Sequence, residues 1–294
     1  MRELKYSVMD VFAERALEGN PLAVFHDARG VSDAEMQKIA REMSFSETTF
    51  VLPEDDESQG VRVRIFTMQE ELPFAGHPTL GTASWLRQSY APTRGADVVT
   101  LRLKAGPITV EFAKDDGAGA VGTMTQNDPV FGATFDRAEV AQVIGLREED
   151  LSAEFRPQSV STGNAFCIVV LQSVEVLQRL AIPAKSSAVW LSERGVRWFY
   201  CIAAKDREQA VWRARMQFYG GEDPATGSAA GCCIAYMVQH GLVHAKQECV
   251  LEQGIEILRP SRIVATANIV DAKVCEVRVM GRTIPVAAGV LFVP

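Results

Sequence analysis

Residues 225–239 are small or apolar almost all round: Ala225, Gly227, Ala229, Ala230, Gly231, Cys232, Cys233, Ile234, Ala235, Met237 and Val238 fill nearly every direction of a helical projection. A helix without a polar face has no side to turn toward water, so it must be enclosed. In a β-rich chain the enclosure it calls for is a sheet curved around it, and the small side chains let the strands approach. The acidic turn Glu222-Asp223-Pro224 leads into this helix. Earlier in the chain, Ala75-Gly76-His77-Pro78-Thr79-Leu80-Gly81-Thr82-Ala83 puts another polar turn with proline ahead of a small-residue helix. Two such starts facing each other would make a site.

The rest of the chain supplies the strands. Residues 6–12 and 22–26 read as strands, separated by Ala16 to Pro21, where Gly19, Asn20 and Pro21 carry turn chemistry. A first helix follows, with Ser32 and Glu35 spaced as a capping box and Met36, Ile39, Ala40 and Met43 on one face. Glu47 falls where this helix gives way to a strand ending near Leu52, and Val61 to Phe66 alternates as a half-buried strand does. Further strands are expected near 98–103, 107–113 and 120–126.

From about residue 118 the order begins again. Gly19-Asn20-Pro21 resembles Gly163-Asn164-Ala165, and Met36 to Ala40 resembles Leu177 to Ala181. Arg64-Ile65-Phe66 resembles Arg215-Met216-Gln217-Phe218, and the turn from His77 resembles the turn from Asp223. These matches are collinear. They predict an α+β fold of two pseudo-twofold halves, each a curved, mostly antiparallel sheet wrapped around a buried central helix, with a cleft between them. The halves are placed at 1–117, completed by the C-terminal strand 284–294, and at 118–294.

Several tempting motifs dissolve on inspection. Gly117 to Gly122 fits the spacing of a dinucleotide loop, but Thr123 to Pro129 continues as a strand where that loop requires a helix, so a hairpin turn is expected. His240 and His244 have the spacing of a zinc pair, yet Gly241 interrupts them and no third ligand is near; no metal is expected. Ser228 is not set in a nucleophile elbow, and reads as a hydrogen-bonding group at a helix start. The six cysteines lack paired-zinc spacing and read as buried free thiols of a reducing, cytoplasmic compartment. A net charge of −7 with scattered basic residues argues against nucleic acid as a partner, and no segment has the length of a membrane span.

What remains is chemistry suited to an anion. Each helix start offers unpaired amide N–H groups and the positive end of a helix dipole, a place for a carboxylate. Glu47 is flanked by Phe45, Phe50 and Val51 and by the hydroxyl residues Ser46, Thr48 and Thr49. A carboxyl partly desolvated by such neighbours has a raised pKa and exchanges protons near neutrality.

Gly19-Asn20-Pro21, Ser46-Glu47-Thr48-Thr49-Phe50-Val51, Glu71 to Gly81 and Glu222 to Ala229 together resemble the PhzF family of phenazine-biosynthesis isomerases, over nearly the whole chain. The resemblance implies a diaminopimelate epimerase-like fold, a homodimer and no cofactor. It implies that Glu47 takes a proton from a substrate carbon and returns it elsewhere, as in isomerisation of trans-2,3-dihydro-3-hydroxyanthranilate. His77 and Asp223 would be its catalytic companions, and Gly76, Gly227, Ser228 and Asn20 would contact a small carboxylate substrate. Related racemases use two opposed cysteines; those positions are matched here to Ala75 and Asp223, which disfavours two-thiol chemistry, and Cys232 and Cys233 lie too far into the helix to replace them. The approach Phe218-Tyr219-Gly220-Gly221 is shorter than the family's. Two rivals follow: a racemase or epimerase using Glu47 and Asp223, and a metabolite-binding protein without turnover.

Overall fold

The computed structural model describes residues 1–114, 119–218 and 221–293. It is a sheet-rich mixed α/β protein whose residues group into two compact units, Met1–Thr125 with Met280–Pro294, and Gln126–Val279. The expected boundary between residues 117 and 118 lies outside the described residues, as do Gly117 and Ala118 of the expected hairpin and Tyr219 and Gly220 of the short approach.

The first unit opens with strands β1 (Arg2–Val11) and β2 (Asn20–Phe25), paired antiparallel so that Val11 lies opposite Asn20. Helix α1 (Asp33–Met43) crosses over to β3 (Glu47–Leu52), which runs parallel to β2 with Glu47 opposite Leu22. The expected capping box starts α1: Ser32 Oγ accepts from the Glu35 amide and the Glu35 carboxylate accepts from the Ser32 amide. Ser44, with φ of 55°, ends it. Met36, Ile39 and Ala40 pack into a core cluster with Phe25, Phe50 and Phe66. Strands β4 (Val61–Thr67) and β5 (Glu71–Leu72) then form a short antiparallel pair.

Helix α2 (Gly76–Ser89) follows, buried from Gly76 through Leu86. It packs against β1, β2 and β3 and against β6 (Val98–Leu103), β7 (Gly106–Phe112) and β8 (Ala120–Thr125). Small residues permit this approach. A Cβ added at Gly81 would lie 2.6 Å from Leu22 Cδ2 and 2.7 Å from Val11 Cγ2. Strand β8 pairs antiparallel with β7, Met124 opposite Val110, so the first unit extends to Thr125.

The second unit supplies the remaining strands of the 16-stranded sheet. Strands β9 (Val130–Thr134), β10 (Gln158–Ser161) and β11 (Ala165–Val170) are joined by antiparallel pairing, with helix α3 (Arg137–Val143) between the first two. Helices α4 (Val174–Gln178) and α5 (Ala184–Glu193) form the crossover to β12 (Trp198–Asp206), which runs parallel to β11. Leu177–Ala181, matched in sequence to Met36–Ala40, covers only the end of α4 and the residues after it, and the crossover here holds two helices where the first unit has one. Strands β13 (Val211–Arg215), β14 (Gln217–Phe218) and β15 (Gly221–Glu222) lead to α6 (Gly227–Gln239).

Helix α6 is buried from Gly227 to Val238, as its composition requires. Ile234, Met237 and Val238 are each at most 4% exposed, and burying each contributes roughly 2 kcal/mol. The helix packs against β10, β11 and β17 (Ser261–Val270), and β16 (Cys249–Gln253) pairs with β13 and β17. The final strand, β18 (Lys273–Val293), begins in the second unit and ends in the first, where it pairs with β1, Tyr6 opposite Gly289.

All six cysteines are free thiols, and only Cys275 is not buried. His240 is the C-cap residue of α6 and its Nε2 is 2.8 Å from Gln158 Oε1. Among the described residues no helix is long and apolar enough to cross a membrane.

Candidate functional site

In the first unit the fold brings three of the sequence-derived residues together. Asn20 begins β2, Glu47 begins β3, and His77 is the second residue of α2. Asn20 Nδ2 lies 3.2 Å from His77 Nδ1, and Glu47 Oε2 lies 3.5 Å from the same nitrogen. Asn20 is fully buried and His77 is 3% exposed, while the Glu47 side chain keeps 16% exposure. The pair is held from below. Thr49 on β3 accepts a hydrogen bond from Thr82 on α2 at 2.8 Å, which ties the strand carrying Glu47 to the helix carrying His77.

Burial pushes the His77 imidazole down to about 3. At neutral pH the ring is therefore uncharged, and its contact with Glu47 is not an ion pair. The dipole at the start of α2 acts in the same direction, because the positive end of a helix disfavours an imidazolium. With Asn20 Nδ2 as donor, Nδ1 accepts and the ring proton sits on Nε2. Among the described residues Nε2 is buried without a hydrogen-bond partner. Gly76 is the first residue of α2, whose N-cap Ala75 supplies no side-chain bond. The first amides of the helix are thus left without a side-chain acceptor from the cap.

The second unit assembles Asp223, Gly227 and Ser228. Helix α6 starts at Gly227 with Thr226 as N-cap, so Asp223 is not the cap and Pro224 is not in the first turn. Pro78, by contrast, does lie in the first turn of α2. Asp223 is 6% exposed and accepts at Oδ2 from Thr226 Oγ1 over 2.7 Å. Ser228 is 8% exposed and occupies the second position of the helix. Deeper in α6, burial pushes the Cys232 thiol up to about 11 and Cys233 well above its ordinary value, which removes both as bases near neutrality.

Local structure also resets the internal match. Phe66 lies opposite Glu71 in the first unit, and Gln217 opposite Glu222 in the second. Arg64 grips Glu71 through Nε at 2.8 Å and a terminal nitrogen at 2.9 Å; Arg215 grips Glu222 in the same two-pronged way at 2.9 and 2.5 Å. Gly76 and Gly227 each open the helix that follows. All three pairs are 151 residues apart (215 − 64, 222 − 71, 227 − 76). In this register His77 corresponds to Ser228, and Asp223 to Leu72 rather than to His77. The counterpart of Ala75 is Thr226.

The sequence reading missed the residues that hold the second turn. Gln253 on β16 bonds the Asp223 carbonyl, the Thr226 amide and the Thr226 hydroxyl. Gln126 donates to the Gly227 carbonyl and accepts from Thr162. The equal seven-residue spacing of Arg64–Glu71 and Arg215–Glu222 was the available signal for the true register.

Residues 9–289 match the family described as phenazine biosynthesis-like protein. The trans-2,3-dihydro-3-hydroxyanthranilate isomerase of Pseudomonas aeruginosa is 36% identical, covering 97% of this chain and 98% of that one. A solved structure from Pseudomonas aeruginosa, described as a predicted epimerase, superposes with a TM-score of 0.85 at 36% identity, covering 99% of this chain and 100% of the other. A PhzF-family phenazine biosynthesis protein of Bacillus anthracis gives a TM-score of 0.87 at 27% identity over 100% of both chains.

Proposed function

From the premise that this chain belongs to the phenazine biosynthesis-like family and is an isomerase, we propose that it moves a proton within a small carboxylate substrate without a cofactor, using Glu47 as acid/base. The observation that carries this reading is the pairing of Glu47 with a neutral, buried His77 at 3.5 Å. A carboxylate beside a charged imidazolium would be held ionised and would be a poor base. Beside a neutral ring it keeps the basicity that proton abstraction needs.

Abstraction next to a conjugated acid leaves negative charge that spreads toward the substrate carboxylate. Amides at the starts of α2 and α6, at Gly76 and Gly227, suit that charge, and His77 Nε2–H is a donor without a protein acceptor among the described residues. In this reading His77 and Asp223 are the polar companions of Glu47, while Asn20 fixes the His77 tautomer and Ser228 binds substrate. The family relationship supports the finer picture of two related halves, each a curved sheet around a central helix, and a cytoplasmic homodimer.

The test is proton exchange in deuterated water with trans-2,3-dihydro-3-hydroxyanthranilate, the substrate named for the Pseudomonas aeruginosa relative. Glu47→Gln is expected to lower deuterium incorporation about a thousandfold. Equal incorporation by the variant and the parent protein would remove Glu47 from the chemistry. Chiral analysis of the recovered acid separates this reaction from an epimerisation using Glu47 and Asp223.

A further inference from the structure

We infer that Trp198 is a specificity-determining residue: it stands in the second unit where Glu47 stands in the first, and its indole selects a flat, conjugated carboxylate over a puckered one. The inference rests on the reading of the start of α6, at Gly227 and Ser228, as a place for the substrate. It deepens that reading by naming the class of acid.

Strand register supplies the equivalence. In the first unit β3 runs parallel to β2, and Glu47 lies opposite Leu22, two residues after Asn20. In the second, β12 runs parallel to β11, and Trp198 lies opposite Phe166, two residues after Asn164. The separation of Glu47 and Trp198 (198 − 47 = 151) is the one that relates the two arginine–glutamate grips and the two helix starts. Thr49 and Tyr200 share it (200 − 49 = 151), and each meets the entry of its unit's helix or the helix itself. Thr49 accepts from Thr82 of α2, and the Tyr200 hydroxyl donates to Gln253, which holds Thr226, the N-cap of α6. Phe199, Cys201 and Ala203 belong to the core cluster with α3, α4 and α5, so alternation along β12 turns Trp198 and Tyr200 to the other face, toward α6. The strand ends also match. The Asn164 carbonyl accepts from Cys232 Sγ in α6 at 3.6 Å, and Thr162 is joined through Gln126 to the Gly227 carbonyl. Residues 162–166, and Trp198 beside them, therefore lie along the first turns of α6.

The side chains at this place suit a ring. Trp85, Trp190 and Trp212 are buried, whereas Trp198 is half-buried. Its indole is held in place: the Phe166 ring centroid lies 5.6 Å from its own, and the Arg197 guanidinium lies over the ring at 4.7 Å. A large apolar group that is fixed before binding loses little freedom when a ligand packs on it. The guanidinium adds positive charge beside it, which favours an acid. The helix position changes in the complementary sense, since the His77 imidazole has the Ser228 hydroxymethyl as its counterpart. The first unit carries its ring on the helix and a carboxyl on the strand; the second carries its ring on the strand and a small hydroxyl on the helix. A carboxylate taken by the first amides of α6 and a ring packed on the indole are two ends of one flat acid.

The experiment compares benzoate with cyclohexanecarboxylate, which share a carboxylate and differ in the flatness of the ring, by calorimetric titration of the full chain. The parent protein is expected to bind benzoate about fivefold more tightly. Trp198→Leu, which keeps apolar bulk, is expected to lose that preference while its affinity for cyclohexanecarboxylate changes less than about twofold, and Trp198→Phe to keep most of it. In proton exchange on the dihydro acid, Trp198→Leu should raise KM about fivefold and leave kcat within about twofold. The indole N–H resonance of Trp198, identified by its absence in Trp198→Phe, should move when benzoate is added. A parent protein that binds benzoate no better than the puckered acid, an equal loss of both acids in Trp198→Leu, or an unmoved indole resonance overturns the inference. Should the parent protein fail to exchange protons on the dihydro acid, the functional reading falls, and the preference between the two acids still decides the role of Trp198.

Discussion

Arg64 with Glu71 and Arg215 with Glu222 close the same two-pronged clasp, each ahead of a helix that begins five residues after the glutamate. The surroundings differ. Arg64 and Glu71 keep 17% and 21% side-chain exposure, whereas Arg215 and Glu222 keep 8% and 6%. Arg215 also donates to the carbonyls of Leu177, Gln178 and Leu180, so it holds the end of α4 as well as the turn. Beyond the clasp, the first entry presents His77 against Asn20 and Glu47, and the second presents Asp223 tied to Thr226 and Gln253. What the entries share builds the turn, and what separates them is chemistry.

Substituting the two arginines tests that division most severely. Arg215→Met leaves Glu222 buried without its cation and removes a donor from three carbonyls, and is expected to cost about 4 kcal/mol in urea unfolding. Arg64→Met exposes its partner to water, and is expected to cost about 1 kcal/mol. Equal losses would mean that the clasps do the same work.

The glycines within the two helices sharpen the contrast by a smaller amount. A Cβ at Gly231 would sit 2.0 Å from Gln126 Oε1, an amide held by Thr162 and by the Gly227 carbonyl. Gly231→Ala is expected to cost about 2 kcal/mol even after the roughly 1 kcal/mol that alanine adds to helix propensity. Gly81→Ala meets only the tips of Leu22 and Val11, which can turn aside, and is expected to cost about 1 kcal/mol. Thermal unfolding of the pair checks the order.

The remaining test concerns His77 and depends on pH. Its ordinary pKa of 6.5 is pushed down to about 3, so between these values the unfolded chain binds a proton that the folded one refuses. Stability therefore falls as pH drops from 6.5 toward 3, by on the order of 1 kcal/mol per pH unit. His77→Gln lacks this dependence. The difference between the two proteins in urea midpoint, measured at neutral pH and near pH 5, should narrow or reverse in favour of the variant at the lower pH.

Helix α6 was legible in the sequence because enclosure leaves a local mark: no direction around Gly227 to Val238 is polar. The capping box at Ser32 and Glu35 was legible for the same reason, since both partners lie within one turn. Asn20, Glu47 and His77 could be named from their motifs, but their approach to one another depends on the parallel register of β2 with β3, which no local pattern encodes. The turn matching went astray because proline words align by eye. Pairing His77-Pro78 with Asp223-Pro224 matched two prolines that occupy different places, one inside a helix and one before it. Gln253 left no trace at all. It acts across 27 and 30 residues of chain, and a lone glutamine at a strand end carries no period or cap to mark it.

The last strand has a consequence for how the chain is made. Residues 126–279 are contiguous, so the second unit is complete as soon as they have been synthesised. The first unit is not, because its opening strand β1 takes Met280–Pro294 as a neighbour and its core cluster includes Leu291 and Val293. Although it holds residues that precede the second unit in the chain, this unit needs residues that follow it. Until then β1 lacks its β18 partner, and anything that delays or removes residues 280–294 prolongs the interval in which that edge can pair with another nascent chain.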